Sequence, residues 1–340
     1  MLDVKAREGD LVETSEGLIF DVKGLVHPHG RIVAFIRYYP NENGDRKRNR
    51  LVYGKVYSFP DRYILLKKRF PKYVVYDPVF DEILCEVPVS DAKKRLDPVE
   101  KLVRFRSCRI LDPLQSKALQ LAQLLRKTSN IPWSAIGISG SLLAGLHTAS
   151  SDIDPIIYGS ANCRRVYSAL REMLNDPSSL FKPYSKQDLK SLFDFRSKDT
   201  VVGFEDFDRT ESRKASQGKF MGTGYFVRFV KDWSEFSERY GDIQYKNSGY
   251  VRIKATIGDD SESIFTPCKY MLEKATIIDG PRIPSITEIV SFRGRFCEQA
   301  KNGETIIAQG KVERVTDLKR HQEYFRLLIG NKPSDYVVLA

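Results

Sequence analysis

Asp152 and Asp154 are the residues of this sequence best placed to do chemistry. They are separated by one residue at the start of an apolar run, Ile156 to Tyr158, which predicts a strand. Two-residue spacing on a strand puts both carboxylates on one face, about 6–7 Å apart along the chain. Two such carboxylates repel each other unless a divalent cation lies between them. The pattern therefore predicts that Asp152 and Asp154 bind a metal.

A glycine and a serine precede this pair at a spacing that suits phosphate chemistry. The apolar run Ala135 to Ile138 predicts a strand, which Gly140 and Ser141 follow as a tight turn into a short helix. Backbone N–H groups and a hydroxyl at such a turn suit phosphate oxygens. A phosphate cradle beside metal-binding carboxylates is the equipment of phosphoryl or nucleotidyl transfer.

The stretch Ala135 to Gly159 resembles the Gly-Ser…Asp-x-Asp signature of the polymerase-β-like nucleotidyltransferase superfamily, and specifically the predicted archaeal members of that superfamily. The resemblance implies that Gly140 and Ser141 hold the β- and γ-phosphates of an NTP. It also implies that Asp152 and Asp154 are catalytic and bind two Mg²⁺ ions.

Two residues depart from the usual pattern of the superfamily. Ser139 stands where an apolar residue often precedes the Gly-Ser, and Pro155 follows the second aspartate. Because proline cannot donate a hydrogen bond to a strand ladder, this strand is expected to lie at a sheet edge or to begin at Pro155.

The resemblance further implies a third carboxylate on the strand that pairs with the Asp-x-Asp strand. The predicted strand Tyr225 to Val230 contains Arg228 but no acid, so we choose Asp232, just beyond it, as the third catalytic residue. Arg228 and Arg164, the latter in the first turn of a helix predicted over Asn162 to Asn175, are candidate nucleotide-binding residues. Arginines exposed at a helix start are also common without any such role.

Composition favours a basic, intracellular protein. The chain has 340 residues, a formal net charge of +11 and 41% hydrophobic residues. The charge suits a polyanionic partner, nucleic acid or NTP, although a soluble basic protein without such a partner has the same composition. The five cysteines are scattered, the start is charged, and no apolar run approaches the about 18 residues of a membrane span. We expect a cytoplasmic protein that does not bind membranes.

The predicted fold class is an α/β (α+β) nucleotidyltransferase core with β-rich flanking domains. We predict a β-rich domain over 1–98, a nucleotidyltransferase domain over 99–235 with an insertion at about 176–222, and a β-rich domain over 236–340 that ends in a small OB-like barrel. Helices are predicted over Pro113 to Lys127 and over Ser185 to Phe195. A turn is predicted at Pro60-Asp61.

Three charged segments admit two interpretations each. Basic residues and aromatics interleave between Arg46 and Tyr73, which suits RNA or simply a barrel with a charged rim. The basic residues of Phe204 to Lys219 contact substrate phosphates or lie on a charged surface helix. Asp259 to Glu262 is a second cation site or a solvated turn.

The expected function is Mg²⁺-dependent transfer of a nucleoside monophosphate from an NTP to a hydroxyl, with release of pyrophosphate. The acceptor is expected to be nucleic acid, RNA in preference to DNA. Three alternatives stay open: a nucleic-acid-binding protein whose nucleotidyltransferase domain is catalytically degenerate, a nucleotidyltransferase that modifies a protein or small molecule, and a purely structural role for the motif.

Overall fold

The computed structural model describes residues 5–199 and 201–340 and is a mixed α and β fold rich in sheets, as predicted for the coarse fold class. The helices are α1 (Phe59–Arg69), α2 (Pro98–Ser107), α3 (Pro113–Ser129), α4 (Gly140–Ala144), α5 (Ser160–Asn175), α6 (Lys186–Arg196) and α7 (Phe204–Glu211). The strands are β1 (Leu11–Thr14), β2 (Ile19–Val22), β3 (Arg31–Pro40), β4 (Arg46–Arg48), β5 (Leu51–Lys55), β6 (Val74–Asp77), β7 (Glu82–Pro88), β8 (Ala92–Leu96), β9 (Ile136–Ile138), β10 (Pro155–Tyr158), β11 (Phe181–Lys182), β12 (Gln217–Phe220), β13 (Thr223–Phe226), β14 (Arg228–Val230), β15 (Ile243–Asp259), β16 (Cys268–Asp279), β17 (Ile286–Ser291), β18 (Thr305–Asp317), β19 (Gln322–Leu328) and β20 (Tyr336–Leu339).

The chain forms two compact units, each built from separated segments. Unit 1 consists of the described residues up to Val74 with Cys85–Pro183 and Ala215–Ser237. Unit 2 consists of Val75–Leu84, Tyr184–Lys214 and Glu238–Ala340. Much of the predicted insertion at 176–222 thus belongs to unit 2, whereas the domain boundaries near residues 98 and 235 stay predictions. Within the described residues, no helix combines the length and the apolarity that crossing a membrane requires.

The N-terminal part of unit 1 is a sheet with strand order β4–β5–β3–β2–β1–β8, and β7 also pairs with β3. Its apolar core includes Phe20, Ile36 and Leu66, the last from α1. The predicted turn at Pro60-Asp61 is wrong, because these residues begin α1. The Asp61 N–H donates to Ser58 Oγ at 3.2 Å, so Ser58 caps the helix, and proline is tolerated in a first turn.

The remainder of unit 1 contains a mixed sheet of order β14–β10–β9, in which β10 is parallel to β14 and antiparallel to β9. The helix predicted at Pro113 is confirmed as α3, which begins at that residue. Asp112 caps it by accepting from the N–H groups of Leu114 and Gln115, both at 2.9 Å. Helix α5 is also confirmed and begins at Ser160, two residues before the predicted start.

The strand was expected to begin at Pro155 or to lie at a sheet edge. Pro155 is the first residue of β10, and β10 lies in the middle of its sheet. The Ser139 N–H donates to the Asp154 carbonyl at 2.8 Å, immediately before the proline. Proline is accepted at this position because a first strand residue can lack a ladder donor.

Unit 2 contains a partially closed sheet. The pairings run β15–β16–β17–β19–β18, β18 pairs again with β15, and β20 adds to β18. The pair β17 and β19 is parallel, whereas the other pairs are antiparallel. Buried Ile253, Tyr270, Ile289 and Leu327 contribute to the core inside this ring. Helix α6 confirms the helix predicted over Ser185 to Phe195. Its N-terminus is capped by the Ser185 side chain, which accepts from the Asp188 N–H.

The charged segments predicted to be near substrate or cations are engaged locally in unit 2. Lys214 is buried and bonds Glu211 at 2.5 Å, and Arg213 bonds Glu304 at 2.5 and 2.7 Å. The Ser261 N–H and hydroxyl donate to Asp259, which is the solvated-turn arrangement. These contacts give the charged side chains structural partners.

Candidate active site

Ser139 ties the end of β9 to two neighbouring segments. Its N–H donates to the Asp154 carbonyl at 2.8 Å, and its hydroxyl donates to the Gly9 carbonyl at 2.7 Å. Ser139 is buried, so an apolar residue here would leave the Gly9 carbonyl without this donor. The departure from the usual pattern at this position therefore has a local structural reason.

Gly140 allows the carboxylate of Asp154 to approach the Gly-Ser turn. Its φ of +61° is a conformation that glycine adopts without strain. A Cβ at Gly140 would lie only 1.8 Å from Asp154 Oδ2. The two halves of the predicted motif are consequently in direct contact, and they require glycine at this position.

The Asp-x-Asp segment is fixed on its other side by β13. The Ile153 N–H donates to the Gly224 carbonyl at 2.9 Å, and the Phe226 N–H donates to the Ile153 carbonyl at 3.0 Å. Asp152 is exposed and Asp154 is half-buried. The backbone of the pair is thus held from both sides while its carboxylates stay near the surface.

Asp154 lies in an environment with charges of both signs. Burial raises the pKa of its carboxyl group above the ordinary value, and the charge of Asp152 raises it further. Arg228, Arg37 and Lys55 lower it by electrostatic attraction. A bound cation would act in the same direction and keep Asp154 ionised.

Arg228 occupies the strand on which the third carboxylate was expected. It lies opposite Ile156 in the parallel register of β10 and β14. Its Nη1 bonds Glu8 Oε1 at 2.8 Å and lies 3.5 Å from Asp21 Oδ1. Glu8 is fully buried and also pairs with Lys23 at 3.0 Å. The guanidinium therefore has carboxylate partners within unit 1.

Asp232, our predicted third catalytic residue, is not brought to the pair. Tyr158 aligns with Val230 in the parallel register of β10 and β14, so Asp232 lies beyond the carboxyl ends of these strands. Asp154 precedes the other end of β10. Along the strand direction Asp154 and Asp232 are separated by about six residues, or about 20 Å at the rise of a strand. Asp232 Oδ1 pairs with Arg7 at 3.1 Å and accepts from the Trp233 N–H at 2.7 Å.

Arg164 is likewise placed away from the aspartates. It is the fifth residue of α5, which follows the carboxyl end of β10, whereas Asp152 and Asp154 precede the other end. The structure brings together Gly140, Ser141 and the two aspartates, and separates Arg164 from them.

The N-terminal sheet supplies basic residues to the site that sequence reasoning assigned elsewhere. Arg46 is buried, and its Nη1 donates to Ser151 Oγ at 3.1 Å and Thr148 Oγ1 at 3.3 Å, just before Asp152. Its Nη2 donates to Tyr57 Oη at 3.4 Å. The interleaved basic and aromatic residues were the available signal, but nothing local indicated that they face this loop.

The sheet also packs directly on the Gly-Ser helix. Tyr38 and Tyr53 share an apolar cluster with Leu143, Ala144 and Leu146 of the α4 region. Lys55 pairs with Tyr38 in the β3–β5 register, and Lys55 and Arg37 act electrostatically on Asp154. The candidate site is thus formed by both parts of unit 1.

No protein-family model and no solved structure matches this chain. A relative is present in Methanocaldococcus jannaschii under the name "Uncharacterized protein MJ1086". It is 33% identical over 336 residues, which cover 96% of each chain. The chain therefore belongs to the same protein family as this archaeal protein.

Proposed function

We propose that the protein is a nucleotidyltransferase that moves a nucleoside monophosphate from an NTP to a hydroxyl and releases pyrophosphate. The observation that carries this proposal is the contact between the Asp154 carboxylate and the Cα of Gly140, which joins the Gly-Ser turn to the Asp-x-Asp pair. The resemblance of this stretch to polymerase-β-like nucleotidyltransferases supports the same conclusion, as do the basic residues around the pair.

The donor set fits a Mg²⁺ ion that substrate phosphates help to bind. Asp152 and Asp154 offer carboxylate oxygens near the surface, and Mg²⁺ commonly uses one or two carboxylates with phosphates and water. In residues 5–199 and 201–340, no group of three or more His, Cys, Asp or Glu side chains could hold a metal. Asp152 and Asp154 would therefore be the protein ligands of the Mg²⁺ ions, and phosphates and water would complete the coordination.

The proposed roles follow from position. Asp152 and Asp154 would hold the ion, which when bound would polarise the phosphate and stabilise negative charge. Gly140 and Ser141 would lie beside the phosphates and leave room for the Asp154 carboxylate. Arg228 would keep its place beside Asp154 through Glu8 and Asp21, and would contribute positive charge rather than a proton acceptor.

A nucleic-acid acceptor, RNA in preference to DNA, is the acceptor that we propose. The net charge of +11 favours a polyanion. The ring β15–β16–β17–β19–β18 with its parallel β17–β19 pair supports an OB-like barrel in unit 2, a fold that often holds oligonucleotides.

The test is incubation with each labelled NTP, Mg²⁺ and total cellular RNA or DNA. We expect label to enter nucleic acid with the wild type and to be lost in Asp152→Asn and Asp154→Asn. Glu100→Gln, an exposed carboxylate on α2, is the matched control and should retain activity. Label in a protein or small molecule would identify a different acceptor. Equal incorporation by all variants would remove the proposal.

Arg228 favours one second candidate, a nucleic-acid-binding protein whose site binds NTP without transferring it. An arginine paired to Glu8 and Asp21 occupies the strand where the superfamily places its third acid, so a general base is missing there. Tight Mg²⁺-dependent NTP binding together with RNA binding, and no incorporation of any labelled NTP, would support this candidate.

A further inference from the structure

Arg37 and Lys55 are two cations near the Asp-x-Asp pair. Both are half-buried, and neither forms an ion pair within the described part of the chain. Lys55 Nζ lies 4.7 Å from the centre of the Tyr57 ring. Arg228, by contrast, is paired to Glu8 and Asp21.

These two cations are neighbours on paired strands. Tyr38 is opposite Lys55 in the β3–β5 register, and the Val56 N–H donates to the Arg37 carbonyl at 3.0 Å. Rigid strands therefore hold both side chains in place, which suits recognition of a ligand in a fixed position.

Arg46 connects these strands to the Asp-x-Asp segment. It bonds Tyr57, against whose ring Lys55 lies, and it bonds Ser151, which immediately precedes Asp152. The positively charged side chains and the aspartates are consequently parts of one site.

The electrostatics of the site favour an anion beside these cations. Burial and the charge of Arg37 lower the pKa of Lys55 to about 8, although Asp154 and Asp152 act to raise it. Half-buried cations are unfavourable without a counter-ion, and charge-assisted hydrogen bonds to phosphate are among the strongest that such groups make.

We propose that Arg37 and Lys55 bind the terminal phosphates of the nucleoside triphosphate. This inference rests on the proposed function and assigns the polyphosphate end of the substrate to β3 and β5 of the N-terminal sheet. It also gives the pyrophosphate product a binding site. The Gly-Ser turn then contacts the phosphates from the other side.

The assignment fits the transfer reaction. The acceptor hydroxyl oxygen forms a bond to the α-phosphorus, and its proton passes to water. The bond from the α-phosphorus to the bridging oxygen breaks, and its electron pair goes to pyrophosphate. Arg37 and Lys55 would neutralise the negative charge that pyrophosphate gains.

Calorimetric titration with Mg²⁺–ATP, Mg²⁺–pyrophosphate and adenosine tests the inference. We expect Lys55→Gln and Arg37→Gln each to weaken binding of ATP and of pyrophosphate by roughly tenfold or more, the scale of one charge-assisted hydrogen bond. Adenosine should bind no more weakly to these variants than to the wild type. Lys55→Arg should restore most of the affinity. Lys47→Gln, an exposed residue on β4, should bind like the wild type.

The outcomes separate this inference from the proposed function. Wild-type affinity for pyrophosphate in folded Lys55→Gln and Arg37→Gln would overturn the inference even if the protein transfers nucleotides. Pyrophosphate binding that depends on both residues, without incorporation of any NTP, would support the inference and remove the transferase proposal. If the wild type binds neither ATP nor pyrophosphate, both are overturned. Urea unfolding midpoints establish that each variant is folded. If Arg37→Gln is unfolded, Arg37→Lys is measured in its place.

Discussion

Gly140 is the residue whose replacement most directly tests the contact between the two halves of the motif. Gly140→Ala combines an unfavourable φ of +61° with a Cβ placed 1.8 Å from Asp154 Oδ2. We expect a loss of about 2 kcal/mol or more in the free energy of urea unfolding, because the carboxylate must also move. We also expect nucleotide incorporation to be lost.

Gly30 provides the matched control for this prediction. Its φ is +72°, but a Cβ there would meet no atom of the described residues within 4 Å. Gly30→Ala should therefore cost only about 1 kcal/mol, the conformational part, and leave incorporation intact. Equal losses of stability and activity in the two variants would contradict the importance of the Gly140–Asp154 contact.

Asp10 makes stability depend on pH in the direction opposite to most carboxylates. It is buried, and Oδ2 accepts from Arg95 Nη1 at 3.1 Å. Among residues 5–199 and 201–340, Oδ1 has no hydrogen-bond partner. Burial raises its pKa to about 6, although Arg95 and Arg7 lower it. A raised pKa in the folded state gives a stabilising contribution that is complete below the unfolded pKa and is lost as the pH rises through about 6.

Asp10→Asn removes this titration. The free energy of unfolding of the variant minus that of the wild type should increase by up to about 3 kcal/mol from about pH 4 to about pH 8, since one pKa unit is worth about 1.4 kcal/mol. Urea unfolding at several pH values measures this difference. In the control Asp194→Asn, at an exposed position, it should stay nearly constant. A flat difference for Asp10→Asn would contradict the raised pKa.

At the scale of elements, the strand–turn–helix–turn–strand stretch from Ala135 to Gly159 was predictable because its signals are local. Apolar runs, a glycine and a polar turn set β9, α4 and β10. The positions of Asp232 and Arg228 depend instead on the β10–β14 register, which pairs residues about seventy positions apart and leaves no local signal. For the same reason, the sequence did not assign Arg37, Arg46 and Lys55 to the candidate site.

The N-terminus of α3 and the loop after α4 share one side chain. Asp112 Oδ1 accepts from the first turn of α3, and Oδ2 accepts from His147 Nε2 at 2.8 Å. Asp112→Ala should lower the free energy of unfolding by about 1–2 kcal/mol, because it removes a helix cap and the histidine partner. Asp112→Asn should cost less than half of this, since asparagine is also a good cap. Urea unfolding measures both, and equal costs would show that the cap contributes little.

Breaking the buried ion pair on the outside of the ring in unit 2 should strongly destabilise the protein. Glu313 is buried, bonds Arg326 Nε at 2.8 Å and lies 2.8 Å from Lys311 Nζ. Glu313→Gln leaves these cations short of negative charge and should cost about 3 kcal/mol of unfolding free energy. Glu323→Gln, which removes the exposed pair with Arg314 at 4.0 Å, should cost less than about 1 kcal/mol. Similar costs in urea unfolding would refute this argument.

At the scale of the whole molecule, unit 2 depends on segments that are distant in sequence. Asp199 bonds Arg293 at 2.7 Å and Arg295 at 2.5 Å, and Glu82 pairs with Lys311. Burial and the charges of Arg293 and Arg196 lower the pKa of Arg295 to about 9, whereas Asp199 acts to raise it. A prediction from composition along the chain cannot detect such dependence, because each segment is separately compatible with a β-rich or helical domain.

The C-terminal segment alone should therefore not be a stable domain. Residues 238–340 contain the ring of strands but lack both Asp199 and Glu82. Arg293 and Arg295 therefore lose the carboxylate that they share, and Lys311 loses Glu82 but keeps Glu313. Each buried charge left without its partner costs about 3–5 kcal/mol, and the sum approaches the about 5–15 kcal/mol of stability of a whole domain. We expect 238–340 to unfold without a cooperative urea transition. The fragment 184–340, which restores Asp199 with α6 and α7, should recover part of the transition. A cooperative transition of 238–340 with the midpoint of 184–340 would show that the distant segments add nothing to the stability of the ring.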